Sequence, residues 1–292
     1  MPPQLPTRKL GKNGPQVTAL GFGFKKTRKR DEIFFSTKFR IYETQTGDEF
    51  RSDPEYTKKA CAKSLNRLGV DTIDLYCCHR IDRITPIEKT VETMAELKRE
   101  GKIRYLGLSQ CSSTTLRRAC KVHHIDAIQI EYSPFSMDIE NPKIGLMQTC
   151  RELGVAIVAY SPLARGFITG QYKSPDDFEE GDWRKMAPRF SKENFPKNLE
   201  FVDKMKKIAD KKGCTPSQLT LAWLMAQGDD IIPIPGTKKV KYLEENLGAL
   251  DVKLTDTDIA EVRQAVENTE VVGNRFLDRM EAYIFADTPE LS

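Results

Sequence analysis

Three side chains able to hold or move a proton stand at the ends of short apolar runs: Lys38, His79 and Tyr160. An ammonium, an imidazole and a phenol are the groups used for acid–base work and for polarising an oxygen. Position alone does not assign them that work. A strand-end lysine is most simply solvated, a strand-end histidine structural, and a strand-end tyrosine a core aromatic. Their common placement points further, because parallel-barrel enzymes gather their chemistry at the C-terminal ends of strands. Gly236, Thr237 and Lys238 open a late helix, and free N–H groups at a helix start suit an anionic phosphate. His123 and His124 fall at a helix C-terminus, where the dipole explains them.

The elements that must position these residues alternate along the chain. Residues 7–23 read as a hairpin with Lys12-Asn13-Gly14 at its turn and 17–23 as an apolar strand. Strands are predicted at 33–39, 73–79, 105–109, 127–132, 156–161 and 231–235. Helices are predicted at 54–68, 87–100, 113–123, 144–153, 199–212, 216–227, 240–248 and 256–267. Short apolar strands between amphipathic helices indicate parallel strands joined by right-handed crossovers, in one domain spanning 1–292. A closed barrel of this kind needs eight strands, and seven can be counted. The shortfall lies after Gly23, where only nine mostly charged residues precede Ile33. A parallel crossover takes about a dozen residues or more, usually with a helix. The reading is an α/β chain of (β/α)8 type, incomplete, without its second strand and flanking helices.

Composition narrows the classes. Forty-six basic and 42 acidic residues nearly cancel, which argues against nucleic acid or a membrane surface as partner. The run Lys25-Lys-Thr-Arg-Lys-Arg30 is read as a solvated helix end rather than a nucleic-acid patch. No apolar run reaches the roughly 18 residues of a membrane span, and the first residues do not read as a signal peptide. Seven cysteines form no C-x-x-C pair and no zinc-spaced cluster, so no metal is expected. They suit a reduced, cytoplasmic protein. There is no G-x-G-x-x-G fingerprint. Residues 167–197 are long and polar, with Trp183, Arg184 and Arg189, and read as a lid or as a mobile surface loop.

Several motifs, in order, resemble the aldo-keto reductases. They are Leu20-Gly-Phe-Gly23, Ser36-Thr-Lys-Phe39, Asp74-Leu-Tyr-Cys-Cys-His-Arg-Ile-Asp82, Lys102-Ile-Arg-Tyr-Leu-Gly-Leu-Ser109, Gln129-Ile-Glu-Tyr-Ser-Pro134, Ala159-Tyr-Ser-Pro-Leu-Ala-Arg-Gly-Phe167, and Ile234-Pro-Gly-Thr237 with Glu244-Glu-Asn-Leu-Gly-Ala249. The branch most resembled is that of the perakine-reductase-like enzymes. The resemblance implies a (β/α)8 barrel and NADPH-dependent reduction of an aldehyde or ketone to an alcohol. In such enzymes a hydride reaches the carbonyl carbon and a tyrosine gives the oxygen its proton. A lysine, held by an aspartate, lowers that tyrosine's pKa, and a histidine orients the carbonyl.

By the resemblance, Lys38 is the lysine and His79 the histidine. Ser109, Gln110 and Gln129 hold the nicotinamide amide, and Tyr160 stacks on the ring. Ser161, Leu163, Arg165 and Gly166 wrap the pyrophosphate. Gly236, Thr237 and Lys238 take a phosphate, with Lys238 on the NADPH 2′-phosphate. Glu245 and Asn246 meet the adenine edge, and Tyr242 stands where many relatives carry Arg or Gln. The family's Asp-x-x-x-Tyr arrangement has no equivalent; Tyr42 and Tyr56 follow the lysine strand and do not match. A gene-model or splicing error, a segment omitted from the sequence, and a non-catalytic variant would each explain that. Two functions follow: an NADPH-dependent carbonyl reductase, or a cofactor-binding protein with impaired turnover, such as a sensor or a truncated product. Substrate identity and oligomeric state are not legible.

Overall fold

The structure is a computed structural model that describes residues 5–21, 30–39, 42–44 and 47–291. It opens on a hairpin of β1 (Thr7–Lys9) and β2 (Gln16–Thr18), paired antiparallel. β3 (Ser36–Phe39) follows, then a second small hairpin, β4 (Tyr42–Thr44) and β5 (Gly47–Glu49). From α1 (Pro54–Leu68) onward strands and helices alternate: β6 (Ile73–Cys78), α2 (Ile87–Arg99), β7 (Ile103–Ser109), α3 (Ser113–Val122), β8 (Ala127–Glu131), α4 (Leu146–Leu153) and β9 (Ala156–Tyr160). Then come α5 (Asn194–Lys212), α6 (Pro216–Ala226), β10 (Ile231–Pro233), α7 (Val240–Leu247), α8 (Asp256–Glu267) and the short α9 (Asp278–Glu281).

Local chemistry explains the element ends. Asp53 accepts the Tyr56 N–H at 3.0 Å, Pro54 occupies the first turn of α1, and Gly69 closes it in the left-handed region. Ser112 caps α3, and Thr215 and Thr255 form capping boxes on α6 and α8.

Six strands form one parallel sheet in the order β10-β9-β8-β7-β6-β3. Alternation sorts their side chains onto two faces. One face carries Leu75, Cys77, Ala127, Ala156, Val158 and Ile232, a cluster capped by Leu10 and Val17 of the first hairpin. The other carries Tyr76, Cys78, Leu106, Leu108, Ile128 and Ile157, buried under the helices. Gly107 is forced on the first face: a Cβ there would lie 2.3 Å from Cys77 Sγ.

The sheet is strongly curved. Lys38 on β3 and Gln129 on β8 are three strands apart, roughly 14 Å along a flat sheet. Side chains standing on a flat sheet at that separation would not meet, yet Lys38 Nζ donates to Gln129 Oε1 at 2.5 Å. The first face is therefore the concave inside of a barrel-type wall.

One expectation needs correction. The hairpin reading of 7–23 agrees with the β1–β2 pairing, but the described part of the run 17–23, counted among the parallel strands, pairs antiparallel with β1 through Val17 and Thr18. Gly21 then donates its N–H to Pro233 O at 2.9 Å, beside the end of β10. Residues 22–29 lie outside the described residues, so the Phe22-Gly23 end of the first motif and most of the basic run are not placed. Arg30, the last of that run, is not simply solvated. It pairs with Asp74 at 2.8 Å and donates to Thr72 O at 2.8 Å. Among the described residues, no helix is long and apolar enough to cross a membrane.

Asp74 anchors the entry to β3. Its buried carboxylate also accepts the Phe35 N–H at 2.8 Å and Arg104 at 2.7 Å. Removing it would leave the Phe35 N–H without this acceptor and free two part-exposed arginines at the edge of the described sheet, at a cost of about 1–3 kcal/mol. The Asp74→Ala variant is expected to lower the urea midpoint with the slope unchanged. A midpoint equal to wild type would contradict this anchoring role.

Candidate active site

The strand ends on the concave side converge on a polar cluster. Ser109 and Gln129 are register partners on β7 and β8, and Ser109 Oγ donates to Gln129 O at 2.7 Å. Gln110, at φ +56°, donates through Nε2 to the Tyr160 hydroxyl at 2.5 Å, while its side-chain oxygen is buried without a partner. An unpaired buried acceptor fits the NH2 of a carboxamide. His79 follows β6 two residues after Cys77, so alternation puts it on the concave side. Arg80, missed in the sequence, is buried behind it. It donates to His79 O at 3.0 Å and reaches Ser109 Oγ at 3.4 Å.

Lys38 completes this group through Gln129. No carboxylate among the described residues pairs with it. Burial lowers its pKa below 10.5, with the Cys77 thiol raising it and the Arg80 charge lowering it further. Burial pushes the Cys77 thiol up to about 11 and raises the Tyr160 phenol.

A cavity of about 880 Å³ opens beside Tyr160. Its wall holds Ser161, Leu163, Arg165 and Gly166 from the turn after β9, and Gly236, Thr237 and Lys238 from the approach to α7. Tyr242, Glu245 and Asn246 of α7 close the far side. The geometry thus unites nine of the residues read for pyrophosphate and adenine, while Lys38, His79, Ser109, Gln110, Gln129 and Tyr160 form the neighbouring strand-end group. The turn after β9 is tightly wound, with Ser161, Ala164 and Arg165 all in the left-handed region. At Gly236 nothing lies within 4 Å of where a Cβ would stand, so any larger residue would project into free space at the cavity wall. Glu245 accepts from Thr215 Oγ1 at 2.8 Å, which fixes its carboxylate.

Residues 167–197 form another wall. They are not an irregular loop: three short 3-10 turns (Pro175–Asp177, Trp183–Met186, Pro188–Phe190) surround Phe167, Phe178, Phe190 and Phe195, all buried. Phe167 meets Phe195 edge-on at 5.0 Å. Arg184 donates to Arg165 O at 2.8 Å and ties this wall to the turn after β9. Sequence reasoning also missed Glu131 and Arg275. Glu131 is a carboxylate in a buried strand, a pattern that demands a cationic partner; Arg165 lies 3.1 Å from it. Nothing local marks Arg275, which arrives from the C-terminal segment.

A parallel curved sheet with its polar groups gathered at the strand ends, beside a large cavity, is a barrel-type arrangement. The comparisons agree. The model of the aldo/keto reductase family matches residues 12–267. An aldo-keto reductase of Schizosaccharomyces pombe, yakc, whose name carries NADP(+), is 54% identical over 280 residues, covering 95% of this chain and 82% of that protein. Aldo-keto reductase str7 of Strobilurus tenacellus is 56% identical over 278 residues, covering 95% of this chain and 81% of that protein. The structure of the glycerol dehydrogenase AKR11B4 from Gluconobacter oxydans superposes with a TM-score of 0.72 at 28% identity, over 83% of this chain and 75% of that one. The thermostable aldo-keto reductase Tm1743, solved with the inhibitor epalrestat, shares the fold at a TM-score of 0.68, over 89% of this chain and all of that one. The chain belongs to the aldo/keto reductase family, and it is an enzyme of that family by descent.

The Lys38 environment predicts a pH signature. Its folded pKa lies below its unfolded value, so between the two the unfolded chain binds more protons and stability rises with pH. Compared with Lys38→Met, wild type should gain stability as pH climbs through the lowered folded pKa toward 10.5. Melting both proteins across that range checks this, and a constant difference would contradict a desolvated Lys38.

Proposed function

We propose that the protein is an NADPH-dependent oxidoreductase that converts an aldehyde or ketone to an alcohol, as one catalytic domain over residues 1–292. The observation that carries this reading is the meeting of the strand-end polar group with the cavity that unites Arg165, Gly236 and Lys238. The donor set fits a dinucleotide: Arg165, Lys238 and an open glycine on one stretch of the cavity wall for phosphates, and an orphaned buried amide oxygen at Gln110 for a carboxamide. When bound, NADPH supplies the hydride. Tyr160 offers a ring for stacking, Ser109, Gln110 and Gln129 orient the carboxamide, and His79 directs the carbonyl oxygen. Lys238 discriminates for the 2′-phosphate.

Lys38 supplies positive charge where the new alkoxide needs a proton. We infer that its usual partners, an aspartate and the proton-donating tyrosine on a second barrel strand, are absent from this chain. Support comes from the amide, rather than carboxylate, hydrogen bond of Lys38 and from β3 standing at the edge of the described sheet. The same observation favours a second reading, dinucleotide binding with weak turnover. The ordered motifs support placement in the perakine-reductase-like branch, and seven free cysteines support a reducing, cytoplasmic setting.

Thermal melting with NADPH tests the binding half. At about 100 times its Kd, the cofactor adds roughly 2.7 kcal/mol, visible as a rise of several degrees. An unchanged midpoint would remove the cavity from consideration. Insertion of an Asp-x-x-x-Tyr strand segment after Gly23 is expected to create or raise carbonyl turnover. A folded insertion variant that binds NADPH and shows no gain would refute the proton-donor argument.

A further inference from the structure

Arg165 lines the cofactor cavity, and its charge is already engaged. Its Nη2 donates to Glu131 Oε2 at 3.1 Å. The guanidinium lies over two neighbouring aromatic rings, Trp183 and Phe276, with each ring centroid at 4.7 Å. Stacking of this kind holds a guanidinium by its faces and leaves its N–H donors free to change partners in the plane. Glu131 is 1% exposed, so a carboxylate deserted by the cation that hydrogen-bonds it would be costly.

A second cation waits beside it. Arg275 Nη1 lies 3.8 Å from the same Glu131 Oε2, beyond hydrogen-bond range. That nitrogen is buried and has no hydrogen-bond partner. The other arm of Arg275 is fixed by Asp138, with Nη2 2.5 Å from Oδ2. A buried, unpaired N–H aimed within a short movement of a shared carboxylate oxygen is an unfinished contact.

We propose that Arg275 is a positioning residue for dinucleotide binding: it takes over Glu131 when Arg165 turns toward a phosphate in the cavity. The inference rests on the reading of that cavity as the NADPH site. Arg165 is released without baring the carboxylate, and its contacts with Trp183 and Phe276 carry the exchange to the 183–186 turn and the C-terminal segment.

Calorimetric titration of NADPH into the full chain and four variants tests the exchange. Arg275→Met removes the substitute cation and should weaken binding about tenfold or more. Glu131→Gln removes the carboxylate that needs covering, so Glu131→Gln/Arg275→Met should bind more tightly than Arg275→Met alone. A merely structural role would make the double variant worse. Asp138→Asn breaks the outer strut of Arg275 but leaves the exchange possible, so binding should stay within a few-fold of wild type. Wild-type affinity in Arg275→Met, a double variant weaker than Arg275→Met, or a loss in Asp138→Asn equal to that in Arg275→Met would each overturn the proposal. Absence of NADPH binding by wild type would instead remove the cavity reading, and this inference with it.

Discussion

The whole site depends on the curvature of one parallel sheet. Lys38 and Gln129 belong to strands separated by two others, and only a wall that curls back brings their side chains together. The same curl turns Leu75, Cys77, Ala127, Val158 and Ile232 into an interior core. Helices cover the outside, and the first hairpin closes the end away from the chemistry through Leu10 and Val17. Gly107 and Cys77 show how tightly the interior layer is filled just below Lys38. What the sheet cannot bury as hydrocarbon it presents at its C-terminal rim, and there Ser109, Gln129 and Tyr160 meet.

The rim holds its buried cations in a fixed order, beside a cavity whose lining mixes Arg165, Arg184 and Lys238 with carboxylates. Arg80 stands behind His79, Arg165 faces the cavity, and Arg275 stands behind Glu131. Desolvation makes each of these cations an attractor for an anion, and two of them share a single buried carboxylate. Such an arrangement is uneconomical for stability alone, because apolar packing would serve at least as well. The phenylalanine cluster under residues 167–197 makes the wall facing that charge rigid enough to shape the cavity.

The sequence shows most of this frame because the punctuation is strong. Asp53-Pro54 and Gly69 bracket α1, so its bounds are read as 54–68 without help from packing. The helix at 256–267 is equally plain from Thr255 and Asp258. The strand at 33–39 shortens to Ser36–Phe39, because apolarity extends beyond the hydrogen-bonded ladder. The run 17–23 misleads for a deeper reason: an apolar stretch does not say which neighbour it pairs with, and β1 takes Gln16–Thr18 first. The hairpin β4–β5 carries no apolar alternation to reveal it. Lys38 and His79 owe their assignment to motif order, since their positions alone are ambiguous. Arg275 is invisible in sequence because its partner Glu131 lies far away along the chain, and only the fold joins them.

The most direct test of the account is a double-mutant cycle on stability with Lys38→Met, Gln129→Leu and the pair. If the strands curl so that the two side chains touch, the effects will not add, and the coupling will exceed about 0.5 kcal/mol. Additive effects within that margin would mean that Lys38 and Gln129 stand apart on a flatter sheet. The strand ends would then not converge on one site.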